Sequence, residues 1–381
     1  MWAVTALSPS GDPWLLTPGP LTTSPEVKEA ARHDYGSRDH RFIGINRRVR
    51  ERLVDVVGGH DTHVCIPLQG SGTFVVEAML GCFVPRDGKL LILVNGAYGR
   101  RMAKICEVAG RRSVLVETAE DVPNDPRALD RALTGDAGVS HVAAVYCETT
   151  SGILNPIEAI ARVAARHGRG LLIDAISAFG ALPLDACTVR FDAMAASSNK
   201  CLESTPGVGF CIARRGALEQ SAGNAHSLSL DLRDQYLAME KNGQWRFTPP
   251  VQTILSLDRA LHEFEAEGGT AGRGARYREN LLVLVEGMRR LGFETLLPDA
   301  VQGPIIVTFH MPADPRFAFE AFYERLRRRG YVIYPGKLTA AASFRIGCIG
   351  RLGVKEMRGA LAAIEDIIDE MGVKSGAPAA A

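Results

Sequence analysis

Between residues 62 and 215 the chain alternates two kinds of segment. Short runs apolar at nearly every position (HVCIPLQ, KLLILVNG, SVLVET, VAAVYCET, GLLIDAIS, FDAMAASS and GVGFCIAR) are separated by stretches whose apolar residues recur at helical spacing, such as 155–167. A strand that is apolar on both faces belongs inside a sheet covered on both sides, and intervening helices are the crossovers of parallel pairing. The pattern therefore predicts an α/β architecture, a mostly parallel sheet between helices. Beyond Pro249-Pro250 the period becomes helical (VQTILSLDRALHEFEAE), breaks at Gly268-Gly269 and resumes through RYRENLLVLVEGMRRLGF. GPIIVTFHM, FAFEAFYERLRRRGY, SFRIGCIG and MRGALAAIEDIIDEMG then read strand, helix, strand, helix, a smaller C-terminal α+β domain. The division predicted is an N-terminal arm over 1–21, a large domain over 22–265, a small domain over 266–373 and a disordered tail over 374–381.

Composition narrows the function. The 44 Lys and Arg against 43 Asp and Glu leave no global field to attract a polyanion, so any bound anion is held by local groups. The basic runs RRVRER (47–52) and RLRRRG (325–330) fall on expected helices without interleaved stacking aromatics and read as solvated faces, not a nucleic-acid surface. No apolar stretch approaches the ~18 residues of a membrane span, and the N-terminus lacks a basic segment followed by an apolar one, so the expectation is a cytoplasmic protein. The eight cysteines show no C-x-x-C pair and sit mostly in apolar runs, as reduced small hydrophobes rather than a disulfide frame or metal site.

Candidate chemistry begins with Lys200, at the end of FDAMAASSNK, and Asp174, at the end of LLID, 26 residues earlier. Singly, a strand-end lysine is a surface charge and a strand-end aspartate a helix cap. Together, one strand–helix–strand step apart, they can share a cleft over the sheet's carboxyl edge, where ligands of such sheets bind. Pyridoxal phosphate (PLP) chemistry needs this pair: an amine for the cofactor aldehyde, and a carboxylate to keep the pyridine nitrogen protonated. The phosphate needs a cradle, which Gly70-Ser71-Gly72-Thr73 at a helix start can provide, although a good turn is the plainer reading. The hydroxyls of Thr149 and Thr150 in YCETTSG can reach the cofactor's phenolic oxygen or simply close a turn. Tyr98 in NGAYGRRM can stack on the pyridine or pack in the core.

Ten motifs then carry a resemblance: LLTPGP, QGSGTF, NGAYGRRM, CETTSGILNP, IDAISAFGALP, AASSNKCLESTPGVGF, NAHSLSLDL, GQWRFTPP, YVIYPGKLT and FRIGCIG. In that order, from about Leu15 to Met371, they resemble the 2-aminoethylphosphonate:pyruvate aminotransferase family, among the fold-type I, class V PLP enzymes. The resemblance implies the PLP-dependent transferase fold and transfer of an amino group from 2-aminoethylphosphonate to pyruvate. It makes Lys200 the Schiff-base lysine and Asp174 the pyridinium partner, whose pKa is then expected to be low. Ser71, Gly72, Thr73 and Asn199 become phosphate ligands, Thr149 the ring-oxygen partner, Tyr98 the stacking ring and Arg345 the substrate-carboxylate ligand. Thr248 and Trp245 are expected to reach the phosphate of the neighbouring subunit's cofactor, which implies a homodimer.

The match has gaps: Arg38, His40 and Arg41 stand where more acid and tryptophan are expected, Ser204 where glycine is, and Cys348 where asparagine is. These bear on the donor pocket and keep an alanine/serine–glyoxylate aminotransferase as the alternative. A cysteine desulfurase would need a nucleophilic cysteine on a mobile loop, and Cys348 is the one cysteine in the C-terminal region.

Overall fold

The computed structural model describes residues 6–336 and 340–379. Seven strands form one sheet in the order His63–Gln69, Val208–Arg214, Ala193–Ser197, Gly170–Asp174, His141–Val145, Lys89–Val94, Arg112–Glu117. All neighbouring pairs are parallel except those of Val208–Arg214, which runs antiparallel to both of its neighbours. That strand follows Ala193–Ser197 after only the lysine turn, too short a connection for a parallel crossover. The expected helix between Asp174 and Ala193 is absent. Ala178, Phe179, Ala181 and Leu182 close turns back onto Ala175 and Ala178, and Gly180, at φ 85°, and Pro183 stop them propagating.

Two apolar clusters cover the two faces of the sheet. Phe42, Leu53, Leu91, Ile160, Ile173 and Phe210 lie in one; Ile66, Met79, Ile92, Met102 and Cys211 lie in the other. A third core belongs to the small domain, whose three-stranded antiparallel sheet (Ile306–His310, Ser343–Gly347, Tyr334–Pro335) packs against the helices Gly269–Arg290 and Val354–Glu370. The long helical pattern does break at the glycine pair: Val251–Ala266 packs on the large domain, and Gly269–Arg290 starts anew after Gly268 at φ 96°.

The N-terminal arm is structural. Trp14–Leu15 pairs in parallel with Tyr331–Val332, and Trp14 and Leu16 join the third core. The tail, expected disordered from 374, is tied down as far as Ala377. Lys374 N donates to Asp314 (2.8 Å), Gly376 N to Leu291 O (3.3 Å), and Ala377 O accepts from Ala313 N (2.8 Å). Small residues let this segment lie against Phe293, which composition alone did not signal; residues 380–381 lie outside the described residues. The basic runs lie on the helices His40–Asp55 and Phe319–Arg328, with arginines committed to acids: Arg48 and Arg52 to Asp258, Arg50 to Glu240, Arg325 to Glu370.

Candidate active site

The carboxyl edge of the sheet gathers most of the predicted residues. Asp174 ends its strand 4% exposed, with one oxygen accepting from Ile176 N (3.1 Å) and the other taking no hydrogen bond from the described residues. Burial pushes its carboxyl up to about 6; the Ile176 N–H lowers it and nearby Glu148 raises it, while Arg101 and Lys200 lower it. The low value expected of this group is therefore not set by the protein's own charges, which leave a buried acid suited to a cationic N–H.

Lys200 follows the next strand, whose Ala195 pairs with Asp174. Its Nζ donates to Pro18 O (2.6 Å), so the LTPGP arm forms a wall of the cleft. Gly19 sits at φ 125°, a backbone conformation that favours glycine, and a Cβ there would press on the end of the Lys200 side chain. The turn carrying the lysine is fastened from behind. Arg273 donates to Cys201 O, and the buried Glu203 accepts from Arg276 (2.7 Å) and from the Tyr277 hydroxyl (2.5 Å). Arg276 also reaches the carbonyls of Gly350 and Leu352 in the small domain (2.6 and 2.8 Å).

Ser71 caps the helix Gly72–Phe83 with no side-chain hydrogen bond, leaving the first N–H groups and the positive end of the helix facing the cleft. A Cβ at Gly72 would collide with Ile176, two residues past Asp174, so glycine lets the helix start close onto the strand end. Thr73 Oγ1 accepts from Arg101 Nη1 (3.1 Å), and the Arg101 guanidinium lies 4.7 Å from the Tyr98 ring centre. The two hydroxyls of the ETTSG turn, equivalent in the sequence, part company. Thr150 Oγ1 is committed to Ala97 N (2.9 Å) and Glu148 (2.5 Å), whereas Thr149 Oγ1 has no partner among the described residues. Thr149 O accepts from Arg345 Nη1 (2.8 Å) and Pro335 O from Arg345 Nε (3.1 Å), which orients the guanidinium and leaves Nη2 uncommitted among the described residues. Arg345 is 4% exposed; burial lowers its pKa, offset by Tyr98, Tyr334 and Glu148 nearby. Asn199, beside the lysine, is half-buried, and its side chain bonds nothing described.

The class V aminotransferase profile matches residues 26–342, most of the chain. The chain belongs to the class V aminotransferases. It is similar to the 2-aminoethylphosphonate–pyruvate transaminase of Pseudomonas aeruginosa, 54% identical over 361 residues, 95% of this chain and 97% of that protein. Its similarity to the protein of that name from Cupriavidus necator is 52% over 369 residues, 97% and 98% of the two chains. Among solved structures it resembles pyridoxamine-pyruvate aminotransferase from Mesorhizobium loti, with TM-score 0.86, 23% identity, and 96% and 95% covered, a likeness of fold.

Two predicted residues of this class V chain stand apart from the cleft. Thr248 is exposed, and Trp245 is half-buried with its indole N–H donated to Asn46 (3.0 Å). They share a surface groove of about 350 Å³ with Ser37, Arg38, Arg246 and Phe247. Arg38 thus neighbours Thr248, and His40 and Arg41 open the helix that follows it, while Ser204 and Cys348 lie elsewhere. Cys348 is fully buried in the small-domain core, contrary to a nucleophile on a mobile loop, and Ser204 is buried behind the lysine turn with its N–H on Ser198 O (3.0 Å). Seven of the eight cysteines are buried; Cys187 is exposed. Sequence reasoning missed Arg101 and Glu148, although both lie inside quoted motifs; a charged residue within an otherwise apolar or glycine-rich strand-end turn was the available signal.

Proposed function

We propose that this class V chain transfers the amino group of 2-aminoethylphosphonate to pyruvate, giving phosphonoacetaldehyde and L-alanine, with PLP as cofactor. What carries the reading is a single cleft, in a chain with full-length relatives of that name, that holds the strand-end amine of Lys200, the buried carboxylate of Asp174 and the buried guanidinium of Arg345. The residues suit the cofactor. Asp174 has an oxygen free for a protonated pyridine nitrogen, and the uncapped helix start at Ser71–Thr73 suits a phosphate. When bound, PLP supplies an electrophilic carbon and an electron sink.

Ser71, Gly72, Thr73 and Asn199 hold the phosphate, Thr149 the ring oxygen, and Tyr98 packs on the ring. Asp174 keeps the pyridine nitrogen protonated, since a carboxylate buried this deeply gains most from a cation beside it. Lys200 Nζ would hold the cofactor through its aldehyde carbon. The Lys200 amine would be the base that takes a proton from the substrate carbon bearing nitrogen and gives it back in the second half of the reaction. Arg345 serves both halves, because its planar fork suits a carboxylate and a phosphonate alike.

The protein works as a cytoplasmic homodimer in which Thr248, on a loop held by the Trp245–Asn46 bond, reaches the partner's cofactor phosphate; the exposure of Thr248 and Phe247 supports this. The test is L-alanine formation by the PLP-loaded protein from 2-aminoethylphosphonate and pyruvate. Turnover with those two substrates supports the reading. Turnover only with L-alanine or L-serine and glyoxylate would replace it with the glyoxylate type.

A further inference from the structure

Glu148 is fully buried at the end of the Cys147–Glu148 strand, and the chemistry above gives it no task. Its Oε2 accepts from Tyr98 N (3.0 Å) and Gly99 N (3.4 Å), and its Oε1 from Thr150 N (3.1 Å) and the Thr150 hydroxyl (2.5 Å). Thr150 Oγ1 in turn accepts from Ala97 N (2.9 Å). The first three N–H groups of the helix Ala97–Val108 are thus satisfied by residues some fifty positions away in sequence, in place of a local cap. Gly96, which precedes the helix, cannot supply one, because a Cβ there would collide with the Glu148 Cγ and Cδ atoms. Exchanging a local cap for a distant carboxylate does more than stabilise a helix end: it fixes where that helix sits relative to the sheet edge.

Tyr98 and Arg101 ride on this helix, and Arg101 reaches Thr73 in the phosphate loop. Thr149, the residue after Glu148, holds Arg345 through its carbonyl, and Thr308 of the small domain donates to Ser151 O (2.8 Å) two residues later. We infer that Glu148 is a positioning residue for transamination: one buried carboxylate sets both the ring platform at Tyr98 and the anion-binding fork at Arg345. The role follows from the direction of the bonds. Both oxygens are fully used by donors, and an amide in place of the carboxylate would bring two N–H groups against groups that already donate.

The test compares wild type with Glu148→Gln, Thr150→Val and Thr150→Ser. The readouts are PLP affinity of the cofactor-free protein, visible circular dichroism of bound PLP, which reports ring orientation, KM for pyruvate, and thermal unfolding. Glu148→Gln is expected to weaken PLP binding by ~5- to 100-fold, the loss from orphaning one or two buried donors, with weakened dichroism and a pyruvate KM raised in the same sense. Thr150→Val shifts the same readouts less, and Thr150→Ser restores them. A Glu148→Gln protein with wild-type PLP affinity, dichroism and KM overturns the assignment, as does one that loses only thermal stability. If Glu148→Gln does not fold, the threonine pair decides: equal behaviour of Thr150→Val and Thr150→Ser overturns it. The inference rests on the cofactor reading and not on the donor, so rejection of 2-aminoethylphosphonate by a PLP-binding protein would sink the proposed donor and leave the dichroism and affinity comparison standing.

Discussion

The floor of the cleft and the exposed groove at Thr248 are built on opposite terms. On the floor, Lys200, Asp174, Glu148 and Arg345 are held by the chain's own backbone: Pro18 O, Ile176 N, the Tyr98 and Gly99 amides, and the Thr149 and Pro335 carbonyls. In the groove, Thr248 and Phe247 face solvent, and the loop is anchored beneath them by the Trp245–Asn46 bond and by Arg246, which donates to Gln235 and Leu228. A group that must hold or move a proton at a fixed atom needs neighbours that leave it one orientation. A group offered to a second copy needs exposure until that copy arrives. In the proposed dimer, the difference would divide the work, with the chemistry held within one chain and the site closed between two.

The sharpest test of the floor is Lys200→Ala, which removes both anchor and base; transamination should fall by more than ~10⁴-fold, measured as alanine formation under PLP saturation. Appreciable turnover would mean that the base lies elsewhere. Arg345→Ala should raise KM for pyruvate by ~10- to 100-fold, the loss of a charge-assisted hydrogen bond, and should weaken 2-aminoethylphosphonate as well, since one fork serves both. A rise confined to one substrate would separate two anion sites that the account merges.

Asp174→Asn distinguishes the floor's stability from its chemistry. A buried acid with a raised pKa binds its proton longer in the folded than in the unfolded state, so the cofactor-free wild type loses stability as pH rises from about 4 to about 6 and stays lower above that. The asparagine variant lacks that titration. Its cofactor-free form should gain on wild type across the same window, by up to ~3 kcal/mol at pH 7.5, while losing most of the stabilisation that PLP confers. Thermal melts at pH 4, 5, 6 and 7.5 check it, and an unchanged difference across that range would contradict the assignment. The smallest effect belongs to the groove: Thr248→Ala should weaken PLP binding only ~2- to 10-fold, the loss of one hydroxyl hydrogen bond at a solvent-facing position, and the defect should vanish on dilution to monomers. A defect that persists in monomers would place Thr248 in its own chain's site.

Lys200 and Asp174 were legible in sequence because strand ends in a parallel sheet share one edge, and that holds although the helix expected between them is replaced by turns stopped at Gly180 and Pro183. The helix start at Gly70–Thr73 was legible through its glycines: Gly70 sits at φ 134°, and a Cβ at Gly72 would meet Ile176. Thr149 and Thr150 were indistinguishable, because which hydroxyl stays uncommitted is decided by Ala97 N, which donates to Thr150 from a helix distant in sequence. Glu148, Arg101 and the Glu203–Arg276–Tyr277 cluster escaped for the same reason: each acts through a partner distant in sequence, and no local period or spacing records such a pairing. The tail from 374 to 377 was misread because small residues that look like a linker also fit flat against Phe293.

The most direct measurement mixes the PLP-loaded protein with 2-aminoethylphosphonate alone and follows its absorption spectrum. The account predicts loss of the visible band of the lysine-bound cofactor, growth of the band of its amine form, and full reversal on adding pyruvate. A visible band unmoved by 2-aminoethylphosphonate but converted by L-alanine or L-serine would contradict the proposed donor, and a band that no amine moves would contradict transamination at Lys200 itself.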